Sequence, residues 1–349
     1  MLKKTLLLAF IGVTLCLPFM GMAQQQPTLQ ADAEGSFVKW MSLDSAMQKM
    51  KTAPKPVIMD FYTSWCGWCK QMMKTTYANP DLAQYINANF YPVKFNAETK
   101  DTIEYLGQKY GPVGNTNALA VKMLQNKLMY PSTMFMNNFD KQKNEFGFNM
   151  MAQGYLDNTK LEPILIFILE NAFRNSGYDD FKAGYDIAFF DTATDRKVKD
   201  LKWLTPSEAF NNKDSSSKKT IVLIHTEWCN GCRVMQRSSF IDSATAKYLN
   251  KKFNLVDFNP EITDAINFKG QTFTNPRTPQ SPFHQLAMAL CRNNFTLPTV
   301  VFLDEKMNIM DAIPFYLNKE SLKNISTFYG DDINKKKSWT DYMAGINKK

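Results

Sequence analysis

Two short apolar runs set the rhythm of the chain. Val57-Ile58-Met59-Asp60-Phe61-Tyr62 and Thr220-Ile221-Val222-Leu223-Ile224-His225 are almost unbroken, the pattern of strands buried on both faces. Each follows a predicted helix, Ser42–Met50 in one case and Ser207–Asn212 in the other. Each leads into a mostly polar, helix-permissive stretch that runs toward Tyr77 or Phe240. Further helices are predicted from near Asp81 and Ser243, and strands over Tyr91–Asn96 and Leu255–Asn259. Ile103/Tyr105 and Ile266/Phe268 alternate around glycine-centred turns, which predicts a hairpin in each half. Helices over Ala118–Asn126 and Phe283–Arg292, strands over Pro131–Met136 and Pro298–Leu303, and helices over Lys160–Phe173 and Lys319–Tyr329 complete the two series.

The two series are one pattern written twice. Lys39-Trp40-Met41 meets Lys202-Trp203-Leu204, and Trp65-Cys66-x-x-Cys69 meets Trp228-Cys229-x-x-Cys232. Phe95-Asn96 meets Phe258-Asn259, and Gly107-Gln108 meets Gly270-Gln271. Pro131 meets Pro298, and Tyr178-x-Asp180-Phe181 meets Trp339-x-Asp341-Tyr342 in short aromatic helices. A tandem duplication follows, so a fold read for one half transfers to the other. The join is expected at residues 186–200, between a first domain at 36–185 and a second at 201–347. Lys213 to Lys219, with three serines, is expected to be a loop.

Composition is that of a globular protein, with 44% hydrophobic and 13% aromatic residues in a chain of 349. The formal net charge is +8, but basic residues are spread out apart from Lys335-Lys336-Lys337 and Lys348-Lys349. Such short runs are solvated tails rather than a nucleic-acid footprint, so no nucleic-acid partner is expected. Residues 1–23 are expected to be a cleaved signal peptide: Lys3-Lys4, an apolar core from Thr5 to Phe19, and Gly21-Met22-Ala23 before Gln24. An uncleaved anchor is the rival reading, although the run is short for a bilayer. Cys16 is part of this leader, since Leu15 is too large for a lipoprotein signal. Residues 24–35 are polar and expected to be a linker, and no further run approaches spanning length. The chain is therefore expected to be periplasmic or otherwise exported, without an integral membrane span after the leader is removed.

Setting Cys16 aside leaves Cys66, Cys69, Cys229, Cys232 and Cys291. Two C-x-x-C pairs and an odd cysteine do not make a stapled scaffold, because such pairs close very small rings. A structural zinc site needs its pairs close together, and here they lie in separate repeats. Redox chemistry suits the pattern. Strand, then C-x-x-C, then helix puts the first cysteine at a helix N-terminus, where free N–H groups and the helix dipole favour a thiolate. Lowering a thiol pKa from about 8.5 to about 7 raises its thiolate fraction at neutral pH about 16-fold. Lower intrinsic nucleophilicity takes back about fivefold, so attack gains about threefold. The same sulfur also becomes a better leaving group.

Asp60 is a carboxylate inside an apolar run, costly to bury without a partner or a raised pKa. The second half has Leu223 there, so it lacks this acid unless His225 or Glu227 substitutes. His225 reads more readily as an ordinary half-buried histidine. Trp68 is a docking surface or a half-packed aromatic. Cys291 sits in an apolar helix as a small hydrophobe, with a third redox thiol as the minority view. His284 is expected to be a cap or surface residue, and the many methionines core filler rather than a copper set.

Asp60-Phe61-Tyr62-x-x-Trp65-Cys66-x-x-Cys69-Lys70 and Leu297-Pro298-Thr299-Val300-Val301-Phe302-Leu303-Asp304 resemble the active-site and cis-proline segments of the thioredoxin superfamily. The likeness covers nearly all of residues 36–345, twice, and extends to the C-terminal domain of the membrane thiol:disulfide interchange reductase. It implies an α/β fold of two tandem thioredoxin-like domains. Each would be a central mixed β-sheet flanked by helices, with a β-hairpin insert before the helix that leads to the cis-proline. It implies attack by Cys66 and resolution by Cys69, with Cys229 and Cys232 as the second pair. Asp60 would handle the proton of the resolving thiol. Pro131 and Pro298 would be cis, turning the backbone of Tyr130 and Leu297 toward the sulfurs, although a proline also simply opens strands. Trp65, Trp68, Tyr130, Pro131, Trp228, Leu297 and Pro298 are the substrate-binding candidates. Neither Gly67-Trp68 nor Asn230-Gly231 is the Gly-Pro of thioredoxin, so altered potentials are expected.

The function expected is thus an exported thiol-disulfide oxidoreductase, a reductase or isomerase of protein disulfides. It would need no cofactor or metal beyond its redox-active disulfides. Its partners would be protein thiols and disulfides and a membrane-bound electron donor. The rival class is a chaperone or assembly factor that uses the folds as binding platforms, with a redox-inert second half. A metal carrier is a minor alternative.

Overall fold

The computed structural model describes residues 30–193, 200–211, 215–292 and 294–346. The expected leader at 1–23 and the start of the lead-in lie outside them. The first unit runs α1 (Leu43–Thr52), β1 (Val57–Tyr62), α2 (Gly67–Lys74), α3 (Pro80–Asn89) and β2 (Tyr91–Asn96). Two small hairpins follow, β3 (Ile103–Tyr105) with β4 (Gln108–Tyr110) and β5 (Pro112–Val113) with β6 (Thr116–Asn117). Then come α4 (Ala118–Met123), β7 (Ser132–Asp140), β8 (Glu145–Gln153), α5 (Asn158–Leu169) and α6 (Tyr178–Phe190).

The second unit repeats the order: β9 (Trp203–Leu204), α7 (Pro206–Phe210), β10 (Lys219–Ile224), α8 (Asn230–Val234), α9 (Ser243–Lys252) and β11 (Phe253–Phe258). The hairpin β12 (Ile266–Phe268) and β13 (Gln271–Phe273) leads to α10 (Gln285–Leu290), β14 (Thr299–Leu303), β15 (Ile309–Ile313), α11 (Lys319–Gly330) and α12 (Trp339–Ile346).

The sheets are mixed, as the resemblance implies. The first has the order β2-β1-β7-β8 and the second β15-β14-β10-β11-β9. In each, the strand before the C-x-x-C lies at the centre, parallel to one neighbour and antiparallel to the other. Alternate residues of β1 face opposite sides: Ile58 enters one apolar cluster, Val57 and Met59 another. That double burial explains the unbroken apolar run.

Local chemistry sets the helix starts. The Asn79 side chain accepts the Leu82 N–H at 2.9 Å, with Pro80 in the first turn of α3. Thr205 and Glu208 form a capping box on α7.

One apolar cluster runs through both units and includes Ile58, Phe135, Leu165, Phe181, Val234, Met235 and Phe302. Helix α6 is its hinge of contact. Phe181 packs edge-on to Tyr316 with ring centres 5.2 Å apart. A Cβ at Gly184 would lie 2.9 Å from Ser238 Oγ, so glycine permits the close approach of α6 to the second unit. Asn318 donates to Asp180 at 3.0 Å across the same boundary.

Several expected boundaries shift. The stretch from 186, expected to be linker, opens as helix: α6 continues to Phe190, because Ala188 is fully buried and Phe189 stacks on Tyr185. The helix after the first C-x-x-C stops at Lys74 rather than near Tyr77, and the second passes from α8 into a π-helical turn, Met235–Ser239. Helix α4 ends at Met123, since Gln125 and Asn126 take φ of 51° and 62°. Lys219 leaves the expected serine loop and starts β10, 5% exposed, with Asp332 2.9 Å away. Strands β8 and β15 add an edge to each sheet beyond the predicted series.

Candidate active site

Strand β1 delivers the chain to Cys66, which caps α2 and is disulfide-bonded to Cys69. The Cys66 sulfur accepts the backbone N–H of Cys69 at 3.0 Å. Buried Met72 and Met73 pin the opposite face of α2 to the core, so the helix end is held rigidly behind the sulfur. The Cys66 residue is 4% exposed, and the aromatic residues flanking it are open.

Trp65 is 68% exposed and donates from Nε1 to Glu98 at 2.9 Å. Its ring meets Tyr130 edge-on, centres 6.1 Å apart. Trp68 is 64% exposed and leans on Tyr155 at 5.6 Å. It is both half-packed and open to a partner. The Tyr130–Pro131 bond is cis. Ser132, the first residue of β7, pairs with Phe61 near the end of β1, so Pro131 lies at the same end of the sheet as the C-x-x-C. The structure therefore brings Trp65, Trp68, Tyr130 and Pro131 together around Cys66. Leu128 and Met129, just before Tyr130 in the chain, are also exposed.

Asp60 is fully buried between Lys94 of β2 and Thr133 of β7 in register. Thr133 and the Tyr77 hydroxyl donate to Oδ1 at 3.3 and 3.4 Å, while Oδ2 has no partner. Burial pushes the carboxyl up to about 7, against the pull of the Thr133 hydrogen bond and the Lys94 charge. Cys69 lines a cleft of about 450 Å³ with Glu34, Thr63, Lys70 and Lys94. Lys94 and Glu34 are ion-paired at its wall.

The second pair repeats the framework. Cys229 caps α8, is bonded to Cys232 and accepts its N–H at 3.2 Å. Trp228 is 62% exposed and donates to Glu261 at 3.0 Å, as Trp65 does to Glu98. The Leu297–Pro298 bond is cis, and Thr299 at the start of β14 pairs with Ile224. Leu223 fills the place of Asp60, fully buried and apolar. Of the two suggested substitutes, His225 is engaged by Asp257 and Gln236, and Glu227 is exposed.

Sequence reasoning missed Glu170. It follows α5 of the first unit, yet its Oε1 lies 3.8 Å from the sulfur of Cys229. Its carboxylate accepts the Gly231 N–H, and burial pushes its pKa up to about 8. Part of the residue remains at the surface while the carboxyl is turned inward. A Cβ at Gly231 would lie 2.5 Å from Glu170 Cγ. The only trace in the sequence is that glycine, where the first pair has Trp68. The two residues are remote along the chain, and no local pattern joins them.

Cys291 is free and buried, hydrogen-bonded to Thr299, and burial pushes its thiol up to about 11. It lies among core residues such as Leu286, Leu290 and Val301, in keeping with the small-hydrophobe reading. His284 caps α10 through Nδ1, with its other nitrogen 3.0 Å from the Asp264 carbonyl. It is fully buried rather than on the surface.

A disulfide-bonded C-x-x-C pair at a helix N-terminus, beside a cis-proline on a central mixed sheet, defines a thioredoxin-fold protein equipped for thiol–disulfide exchange. The family Thioredox_DsbH, described as "Protein of unknown function, DUF255", matches residues 22–168 and 187–278, and the chain belongs to it. The chain is also similar to the "Thiol:disulfide interchange protein DsbD" of Citrobacter koseri, 27% identical over 143 residues. That match covers 41% of this chain and 22% of the relative. The protein of the same name from Salmonella typhi is 34% identical over 70 residues, covering 20% of this chain and 12% of the relative. The chain thus spans a small part of the length of these curated relatives. Among solved structures, the reduced C-terminal domain of Neisseria meningitidis DsbD aligns with a TM-score of 0.25 and 19% identity, over 36% of this chain and 93% of that one. Among the described residues, no helix is long and apolar enough to cross a membrane.

Proposed function

We propose that the protein is an exported thiol–disulfide oxidoreductase that reduces or isomerises disulfides in other proteins. The observation that carries the reading is the sulfur of Cys66 at the start of α2, flanked by exposed Trp65 and by Tyr130 before a cis-proline. In the reduced state, the Cys66 thiolate attacks one sulfur of a substrate disulfide. A mixed disulfide forms, and the other substrate sulfur leaves as a thiolate and takes a proton. Cys69 gives up its proton, with Asp60 as the acceptor, and attacks Cys66. The mixed bond breaks, the second substrate thiol is released, and the Cys66–Cys69 disulfide forms. Two electrons pass from the dithiol to the substrate. A burial-raised carboxyl near 7 suits this proton transfer, being able to hold and release a proton at neutral pH.

The exposed apolar rim of Trp65, Trp68, Leu128 and Met129 is the surface proposed to receive an extended protein segment. Continued turnover requires a reductant, and a membrane-bound electron donor is proposed to supply it.

A rival reading has the second pair inert, with both units serving as binding platforms. One observation favours it: Gly231 is buried beneath Glu170, so the second pair is less open than the first. Reduction of a protein disulfide should be measured with the C66S/C69S and C229S/C232S double variants. Turnover by at least the Cys66–Cys69 pair is expected. Loss of no activity in either variant, with neither pair changing state under mild reductant, would overturn the enzymatic reading. A midpoint potential near that of a strong oxidant would reverse the proposed direction.

A further inference from the structure

The second dithiol departs from the first in two ways: the buried acid of β1 is replaced by Leu223, and the bulky Trp68 by Gly231. One side chain lies where the second change makes room. Glu170 comes from the first unit, at the end of α5, and occupies the space that glycine leaves. Its Oε1 stands 3.8 Å from Cys229, within reach of an S–H···O hydrogen bond once the disulfide is reduced. The Gly231 N–H holds the carboxylate in that position.

We propose that Glu170 is the proton acceptor of the second dithiol, supplied by the first unit in place of the acid that Leu223 cannot provide. Redox activity of the second pair then requires the two units to be docked. This deepens the reading proposed above and rests on it for the exchange step. In that step, the Cys229 thiol passes its proton to the Glu170 carboxylate. The thiolate attacks a protein disulfide, forming a mixed disulfide and expelling one substrate thiolate, which takes the proton back from Glu170. Cys232 then loses its proton to the freed carboxylate and attacks Cys229. The mixed bond breaks, the second substrate thiol departs with that proton, and the Cys229–Cys232 disulfide closes. The substrate gains two electrons and two protons, and the dithiol loses the same.

The surroundings suit this role. Burial holds the Glu170 pKa near 8, in the range where thiols titrate. Among the described residues, no cation is paired with it. Tyr85 of α3 feels the charges of Glu170 and Glu162, and Tyr185 of α6 is hydrogen-bonded to Glu162. Arg233 of α8 is turned to the Phe189 ring, 4.8 Å away. A cleft of about 380 Å³, lined by Asn79, Asp81, Tyr85, Glu162 and Asn230, opens beside the pair. Trp228, next to Cys229 in the chain, is exposed.

The test uses the full chain with C66S/C69S, so that only the second pair exchanges. The rate of Cys229 alkylation is followed against pH in the reduced protein, with and without E170Q. Gln keeps an oxygen to accept the Gly231 N–H, and unfolding curves check that the packing survives. The parent is expected to show two inflections, because thiol and carboxyl titrate as a coupled pair, and E170Q only one. Protein-disulfide reduction should fall at least about tenfold in E170Q. Identical profiles in the two proteins would overturn the proposal. If E170Q does not fold, infrared difference spectra of the C66S/C69S protein decide. A change in a protonated carboxyl band on reducing Cys229–Cys232 is expected, and its absence would refute the role. A profile that collapses in E170Q while the second pair shows no exchange activity would sink catalysis at that pair but leave the coupling of Glu170 to Cys229 standing. Exchange with an unaltered profile would do the reverse.

Discussion

Asp60→Asn isolates the cost of placing an acid in the middle of the first sheet. The carboxyl rises from its ordinary value of 3.8 to about 7 on burial, equivalent to about 4 kcal/mol. Between these two values the folded protein holds a proton that the unfolded chain has lost. Folding stability therefore falls as pH rises through this window, and the deficit is complete above about 7. Asparagine cannot ionise, and its side-chain oxygen can still accept from Thr133 and Tyr77. The oxidised D60N protein should match the parent near pH 4 and exceed it near pH 8 by up to about 4 kcal/mol. The assay is denaturant unfolding at several pH values, with the transition of the first unit resolved separately, because a two-unit chain need not unfold in one step. Exchange by the first pair should slow at the same time by about 10²-fold at neutral pH, the usual worth of a positioned acid–base group. A stability difference that does not change with pH would refute the burial account. A stabilised variant with full exchange activity would show that Asp60 is an unfavourable residue without a task.

Other substitutions probe the remaining contacts. C69S should trap covalent complexes between Cys66 and substrate proteins that dissolve on reduction, visible on non-reducing gels, and C66S should trap none. G231A should cost about 1–3 kcal/mol in unfolding assays, because its Cβ collides with Glu170, whereas G67A should be close to neutral because nothing lies within 4 Å. C291A should leave exchange rates unchanged while lowering stability by about 1 kcal/mol, since the thiol is packed in the core at 3% exposure.

The repeat and both C-x-x-C turns were legible because they are local: an apolar run, a turn and a helix start lie within a few residues. The hairpins were legible for the same reason, through Gly107 and Gly270, which take φ of 78° and 77°. Strands β8 and β15 were missed because they are half-exposed sheet edges, with none of the unbroken apolar character of β1. Phe146, Phe148 and Met150 do alternate with polar or small residues, a weak strand signal. The length of α6 was misjudged because its apolar face is satisfied by the second unit, a partner that no window on one segment can include. Glu170 escaped for the same reason. Its meaning lies in a contact between remote parts of the chain, and its own sequence context is that of an ordinary helix end.

The most direct test of the central claim is the alkylation rate of Cys66 in the fully reduced protein at pH 7, read by quenched mass spectrometry. A thiolate held at the start of α2 predicts modification at least about threefold faster than a free cysteine peptide, with Cys69 far slower. A Cys66 that reacts no faster than the peptide would contradict the account.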